Sequence, residues 1–207
     1  VNCNWQINNK AYIKETWRVD LYRDTIVINI NNATNLFSLD SRQSNEAVKA
    51  SILCVLFEGL TRVDEYNNAQ SVLAEVGKIK DKKLWLFDLC RDARWSNGEL
   101  VTTYDVVYSW RRLANPTTDS PMTSVLTHRV AMRNAKAILS GKASLDSLVG
   151  VHALDNHTLQ VIFRRICTLF LQILDSIALT PLPVKVIEKQ GERWTQAGHM
   201  ISNGPYY

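Results

Sequence analysis

The stretch from residue 84 to residue 116 predicts a strand, a tight turn and a helix in immediate succession, and this order limits the folds open to the chain. Along Leu84–Cys90, Asp88 lies on one side of the predicted strand and the aromatic residues lie on the other. That alternation is typical of a sheet that is covered mainly on one face. In the segment Ser96–Glu99, Gly98 supplies the positive φ that a tight turn needs.

The helix after this turn has recognisable ends. Thr102 or Thr103 is predicted to cap it, Asp105 lies in the first turn, where a negative charge is favoured, and Pro116 ends it. The remaining pattern mixes strands and helices and therefore predicts an α/β fold. Its further elements are a strand at Thr25–Ile30, a helix in the stretch RVAMRNAKAILSGK (residues 129–142) with Gly141 just past its end, a hairpin of Val149–Leu154 and Thr158–Phe163, a helix at Asn45–Leu60, and a short helix after two prolines.

The composition is that of an ordinary globular protein. Hydrophobic residues make up 46% and charged residues 21% of the 207 residues, with a net charge of +4. The basic residues are scattered, and their densest group, Lys78–Lys83, contains an aspartate and favours a solvated turn over a nucleic-acid patch. No apolar run is long enough to span a bilayer. We therefore expect neither nucleic-acid binding nor stable membrane insertion.

The sequence offers no convincing constellation for catalysis or metal binding. His152 and His157 flank Asp155, but a polar hairpin turn explains these three residues better than a metal site does. Glu58 and Asp64 could form a carboxylate pair, yet each has a plain role beside a helix end or a turn. A nucleophile elbow, a dinucleotide fingerprint and a P-loop are all missing from the sequence. We predict a protein that is not an enzyme and uses no cofactor.

The four cysteines lack the spacing of a zinc ribbon or a redox motif. Cys54 and Cys90 lie in apolar runs, which favours buried free thiols. An oxidising compartment would allow a bridge, but the sequence alone does not pair the cysteines.

Aromatic residues around the predicted turn and helix are the main functional candidates. Tyr104 and Tyr108 are four residues apart and therefore share one face of the helix. We expect part of that face to be core and part to line a ligand cleft, where a phenol adds an orienting hydrogen bond to its packing. The other two candidates are Trp95 and Trp110.

Several segments, in this order and with these gaps, resemble the oligopeptide-binding proteins of bacterial ABC importers, which belong to the extracellular solute-binding family 5. They read LFEGLTRVDEYNNAQSVLAE, DARWSNGELVTTYDVVYSWRRLANPTTDSP, VGVHALDNHTLQVIF and PVKVIEKQGERWTQ, and NGPYY follows the last of them. The resemblance runs from about Leu36 to Tyr207, which is nearly the whole chain.

The resemblance implies an α/β fold of the periplasmic-binding-protein-like kind (class II, type-C cluster). This fold is a two-lobed clamp whose first lobe carries an extra subdomain. On this basis residues 1–53 start lobe I, residues 54–168 form the extra α/β subdomain, and residues 169–207 return into a truncated lobe I. The second lobe of the family has no counterpart in the sequence, so we expect an incomplete copy or a cut fragment.

The resemblance also implies a function without catalysis. It implies a monomeric periplasmic component of an oligopeptide importer, whose partners are oligopeptides and the permease subunits. Tyr108, Asn45 and Ala47 are the residues implied to contact the solute. Other cargoes stay open, namely a dipeptide, haem, nickel or an antimicrobial peptide, as does a remnant that binds nothing. With one lobe only, we expect peptide binding to be weak or absent.

Overall fold

The computed structural model describes residues 39–40, 47–80, 83–147 and 150–205. In chain order the helices and strands are α1 (Ala47–Leu56), β1 (Thr61–Val63), β2 (Ala69–Ser71), β3 (Ala74–Lys80), β4 (Leu84–Leu89), α2 (Thr103–Ala114), α3 (Ala135–Leu139), β5 (Val151–Ala153), β6 (Thr158–Ile162), α4 (Phe170–Ile173) and α5 (Val184–Gln190). Short 3-10 turns and one π-helical turn at Val125–Arg129 connect several of them.

A four-stranded antiparallel sheet in the order β3-β4-β6-β5 forms the centre of the described structure. Along the inner strand β4, Trp85, Phe87 and Leu89 are buried, whereas Asp88 on the opposite face is exposed. The predicted one-sided covering of this strand is confirmed. The predicted hairpin is also confirmed, because β5 and β6 pair antiparallel.

The turn and cap that precede α2 have the predicted form. Gly98 has a φ of 87°, in the left-handed region that glycine enters without a steric cost. The Asp105 carboxylate accepts a hydrogen bond from the Thr102 backbone N–H at 2.8 Å, so Thr102 is the N-cap residue. The Thr103 hydroxyl donates to the carbonyl of Asp155, which attaches the β5–β6 hairpin turn to the start of the helix.

Phe170 of α4 lies at the centre of the aromatic core. Its ring packs edge-on against Phe163, with the ring centroids 4.5 Å apart. It also contacts Trp85, Phe87 and Trp110 in edge-on arrangements. Each of these large side chains stabilises the fold by roughly 1.5–3 kcal/mol through burial alone, so α4 joins the sheet and α2 into one core.

The helix predicted at Asn45–Leu60 ends earlier, at Leu56, because the segment around Asn203 takes over its hydrogen bonds. The Asn203 side chain accepts from the Glu58 N–H at 3.2 Å and donates to the Glu58 carbonyl at 3.1 Å. The Gly204 N–H donates to the Leu56 carbonyl at 2.8 Å. A Cβ on Gly204 would lie 2.7 Å from that carbonyl oxygen, so the close approach requires glycine.

Two other sequence predictions need correction. The helix before Gly141 is short, because Ala131 and Asn134 adopt positive φ values of 51° and 68° and interrupt any longer helix. Cys54 is a free thiol as predicted, but it is exposed, and the buried Cys90 is disulfide-bonded.

The predicted strand at Thr25–Ile30 lies outside the described residues. The division at residues 53 and 168 stays a prediction.

Candidate functional site

Two of the four aromatic candidates belong to the core. Trp110 is completely buried, and its indole N–H donates to the Leu179 carbonyl at 2.9 Å. Trp95 is 3% exposed beside the Gly98 turn. Neither indole is open to a ligand, so the prediction of a functional role for these two residues is wrong. Because both indoles are buried, Trp95 and Trp110 contribute to the packing of the core.

The two tyrosines of α2 differ from the tryptophans and from each other. Tyr104 is 54% exposed, whereas Tyr108, one turn further along, is half-buried. Tyr108 lines an open depression with a volume of about 490 Å³. The other described residues around this depression are Arg111, Arg112, Asn115, Thr117, Thr118, Leu145, Asp146 and Glu192. Of the sequence candidates with described side chains, Tyr108 alone lies in this depression.

Charged residues surround the Tyr108 ring on its own helix and on the chain that packs against it. The Arg112 guanidinium pairs with the buried carboxylate of Asp40 and lies 3.4 Å from the exposed carboxylate of Glu192. Burial raises the pKa of the Tyr108 phenol above its ordinary value of 10.0. A tyrosine keeps its proton at neutral pH, so the phenol of Tyr108 can act as a hydrogen-bond donor at the edge of the depression.

The other two predicted contact residues lie at the start of α1. Asn45 lies outside the described residues. Ala47 is the first residue of α1, and only its backbone is described. The roles of Asn45 and Ala47 as solute contacts stay predictions.

The polar clusters set aside as catalytic or metal sites have plain structural roles. The Asp155 carboxylate accepts from the backbone N–H groups of His157 and Thr158 at 2.7 and 2.8 Å, as expected of a hairpin turn. The Asp64 carboxylate accepts from the backbone N–H groups of Tyr66 and Asn68 in the turn between β1 and β2. Within the described part of the chain, no group of three histidine, cysteine or acidic residues is arranged to hold a metal ion.

Glu58 lies in a different environment from these turn residues. One carboxylate oxygen accepts from Arg62 at 3.1 Å, and the other is buried with no partner among the described residues. It lines a cavity of only about 40 Å³, which has room for little more than a water molecule. Burial raises the pKa of this carboxyl.

Arg111 and the pair of Arg112 with Asp40 were not among the sequence candidates. The signal was present, because positions three and four residues after Tyr108 lie on the same helical face. Two adjacent arginines on a surface helix are, however, usually solvated. The partner of Arg112 lies 72 residues earlier in the chain, and no local pattern indicates such a pair.

The sequence profile of the bacterial extracellular solute-binding proteins, family 5 (middle region), matches residues 68–207. This match covers more than half of the chain. The chain belongs to this family. Family 5 consists of binding proteins and not of enzymes, in agreement with the prediction from the sequence.

Individual relatives match a larger share of the chain than the family profile does. The periplasmic oligopeptide-binding protein OppA of Salmonella typhimurium is 37% identical over 176 residues, which are 85% of this chain and 32% of the relative. The probable deoxycholate-binding periplasmic protein YgiS of Escherichia coli is 35% identical over 181 residues, 87% of this chain and 34% of that protein.

A solved structure gives the same result for the fold. The crystal structure of Haemophilus influenzae OppA in complex with the peptide RPPGFSPFR matches with a TM-score of 0.76 and 33% identity, over 81% of this chain and 32% of that chain. The α/β fold of a partial first lobe is thereby confirmed. The chain spans about a third of the length of the relatives it matches. Among the described residues, no helix is both long and apolar enough to cross a bilayer.

Proposed function

We propose that this family 5 chain is a peptide-binding component of an ABC-type oligopeptide import system. The observation that carries the proposal is the half-buried phenol of Tyr108 beside the open depression on α2. An aromatic ring with one hydrogen-bond donor suits a peptide, since it packs against side chains and orients a backbone carbonyl. The proposal includes periplasmic location, a monomeric state and permease subunits as partners.

Relatives of this chain support the peptide class of cargo. OppA of Salmonella typhimurium is named as an oligopeptide-binding protein, and the Haemophilus influenzae OppA structure holds a peptide. The rim of the depression has polar side chains, including Asn115 and Thr117. Such side chains can bind a solute through bridging water molecules. Such a site accepts varied side chains instead of selecting one.

An NMR titration of the isotope-labelled chain with a pool of tri- to pentapeptides tests this function. We expect saturable shifts in the signals of α2 around Tyr108. The Kd is expected in the millimolar range, because one aromatic contact contributes only about 1 kcal/mol.

Two variants separate this site from unspecific binding. Tyr108→Ala removes the half-buried ring and should abolish the shifts, whereas Tyr104→Ala removes an exposed ring on the same helix and should leave them unchanged. Saturable binding that is insensitive to Tyr108→Ala would show that the peptide site lies elsewhere. Absence of any saturable shift would contradict peptide binding by this chain.

A different cargo is the alternative that a relative supports. YgiS of Escherichia coli is named as a probable deoxycholate-binding protein, so a bile acid is the second solute to titrate. Preference for deoxycholate over every peptide, with the same sensitivity to Tyr108→Ala, would reassign the cargo while keeping the site. A dipeptide, haem or nickel would be tested in the same titration.

A further inference from the structure

The loop between β6 and α4 carries positive charge and apolar surface side by side. From Arg164 to Leu169, only Cys167 is buried. Ile166 is 50% exposed and Leu169 is 59% exposed. Single exposed hydrophobic residues are common on protein surfaces. These two, however, are three residues apart and directly follow the exposed Arg164 and Arg165, so the loop joins both kinds of surface at one place.

A second segment, residues 128–133, lies against this loop. The Arg165 guanidinium donates to the His128 carbonyl at 2.8 Å. The Cys167 thiol donates to the Arg129 carbonyl at 3.7 Å. These bonds hold the exposed side chain of Arg129 beside the loop.

The far end of the second segment contributes one more arginine. Met132 pairs with Phe163 in an isolated antiparallel bridge, and the next residues along the two segments are the exposed Arg133 and Arg164. We call the whole surface the arginine patch. It consists of Arg129, Arg133, Arg164, Arg165, Ile166 and Leu169.

Acidic residues do not neutralise the arginine patch. Residues 125–136 and 163–174 contain neither aspartate nor glutamate. In the part of the chain that the structure describes, no carboxylate pairs with the four arginines. Asp146 comes near through Ser147, whose carbonyl accepts from Asn134, but it is exposed and offers one negative charge against four positive ones. The patch therefore favours an anionic partner.

We propose that the arginine patch is a docking surface for an anionic lipid bilayer, on which the chain lies without crossing it. A guanidinium binds a lipid phosphate through two parallel N–H bonds, and a negatively charged membrane surface attracts each basic residue that comes near it. Exposed aliphatic side chains next to such charges enter the boundary between headgroups and acyl chains. Ile166 and Leu169 are placed to do so.

A lipid surface fits the arginine patch better than an acidic protein does. Protein interfaces are anchored by aromatic and other large side chains that fill pockets on the partner. The patch has no aromatic member, and it lines neither the Tyr108 depression nor the cavity at Glu58. A fluid bilayer accepts two aliphatic side chains without a matching pocket. Since the patch shares no residue with the Tyr108 depression, the inference does not depend on the cargo.

Co-sedimentation of the 207-residue chain with lipid vesicles tests this inference. One set is phosphatidylcholine alone, and the other contains roughly a quarter of phosphatidylglycerol, which gives a negative surface. We expect binding to the anionic vesicles only, at about 0.05 M salt, and a clear loss at about 0.5 M salt, where exposed charges are screened. Equal binding to both sets, or to neither, would overturn the inference.

Two double variants test the two components of the patch. Arg129→Gln with Arg164→Gln should weaken binding to anionic vesicles by about tenfold or more, since each basic residue near the surface contributes about fivefold. Ile166→Ser with Leu169→Ser should weaken it by about fivefold through the loss of inserted apolar surface. All four side chains are exposed, so urea unfolding of both variants should match that of the unchanged chain.

Matched controls carry the same changes outside the patch. Arg91→Gln with Arg193→Gln removes two exposed charges, and Leu100→Ser with Leu154→Ser removes two exposed aliphatic side chains. Both controls should bind anionic vesicles like the unchanged chain. An equal loss in the arginine control would show that net charge alone drives binding and would overturn the patch.

Soluble polyglutamate separates a lipid from an acidic protein partner. We expect it to compete weakly with anionic vesicles, because it offers no apolar layer to Ile166 and Leu169. Full competition at equal charge, together with vesicle binding that is insensitive to Ile166→Ser and Leu169→Ser, would overturn the assignment to lipid and point to an acidic protein surface.

Discussion

The two faces of α2 differ in how their polar side chains are hydrogen-bonded. On the inner face, Ser109 donates to the Thr180 carbonyl at 2.6 Å and Trp110 donates to Leu179 at 2.9 Å, so every polar atom of these two side chains has a described bond. On the outer face, Tyr108 borders an open depression, and the Nε atom of Arg111 has no acceptor among the residues that the structure describes. On the inner face of α2 the polar side-chain atoms of Ser109 and Trp110 are hydrogen-bonded, whereas the outer face has a buried N–H group without a described acceptor.

This difference separates residues that determine folding from residues that are available for binding. When a buried, hydrogen-bonded side chain is replaced, the protein loses packing and a hydrogen bond, so such a side chain contributes to stability. The exposed part of a half-buried side chain beside a depression contacts water in the free protein, and a ligand can replace that water. Substitutions on the two faces should therefore change different measured quantities.

Replacement of Trp110 should produce the largest effect. Trp110→Ala deletes a fully buried indole that contacts Phe170, and we expect the free energy of unfolding to fall by about 3–5 kcal/mol in urea titrations. Tyr104→Ala on the exposed side of the helix is the control and should change it by less than about 0.5 kcal/mol. Similar losses for both variants would remove the distinction between the faces.

The turn before α2 should show the next largest effect. Gly98→Ala should lower the free energy of unfolding by about 1 kcal/mol or more, because an alanine is strained at positive φ. A Cβ at this position meets no atom within 4 Å, so the cost is one of backbone conformation alone. Gly98→Asn should lose less, since asparagine tolerates the left-handed region. Equal losses for the two variants would point to a steric cause.

A smaller, pH-dependent effect is expected at Asp105 on the inner face. Burial raises the pKa of Asp105 above its ordinary value of 3.8. Between that value and the raised pKa, the folded state binds more protons than the unfolded state, so stability falls as the pH rises through this window and is constant above it. Asp105→Asn should remove this part of the pH dependence of urea unfolding.

Asp155 provides a control of opposite sign. Hydrogen bonds from the backbone N–H groups of His157 and Thr158 lower the pKa of this exposed carboxyl. Its contribution to stability is therefore present above the ordinary pKa and is lost as the pH falls, and Asp155→Asn should remove a dependence in that direction. The same sign of change in both variants would contradict the assignment of burial as the cause at Asp105.

Local patterns predicted the elements around α2 because the relevant interactions lie close together in the chain. The Gly98 turn, the Thr102 cap and the alternation along β4 depend on neighbours within a few residues. The early end of α1 depends on Asn203, which is 145 residues away from Glu58, and no helical pattern contains that information. For the same reason the sequence did not distinguish buried Trp110 from half-buried Tyr108.

The smallest effect on stability is expected from Tyr108→Phe, and it tests the outer face directly. The substitution removes only the hydroxyl of a half-buried side chain, so the free energy of unfolding should change by less than about 0.5 kcal/mol. Peptide affinity should nevertheless fall by about fivefold in the NMR titration, because one hydrogen bond to the solute, worth about 1 kcal/mol, is lost. Trp110→Phe is the inner-face counterpart, since it removes the indole N–H that bonds Leu179 and should lower stability without a selective loss of affinity. A Tyr108→Phe variant that loses stability and keeps its affinity would place Tyr108 with the core, and the division of α2 into a folding face and a binding face would then be wrong.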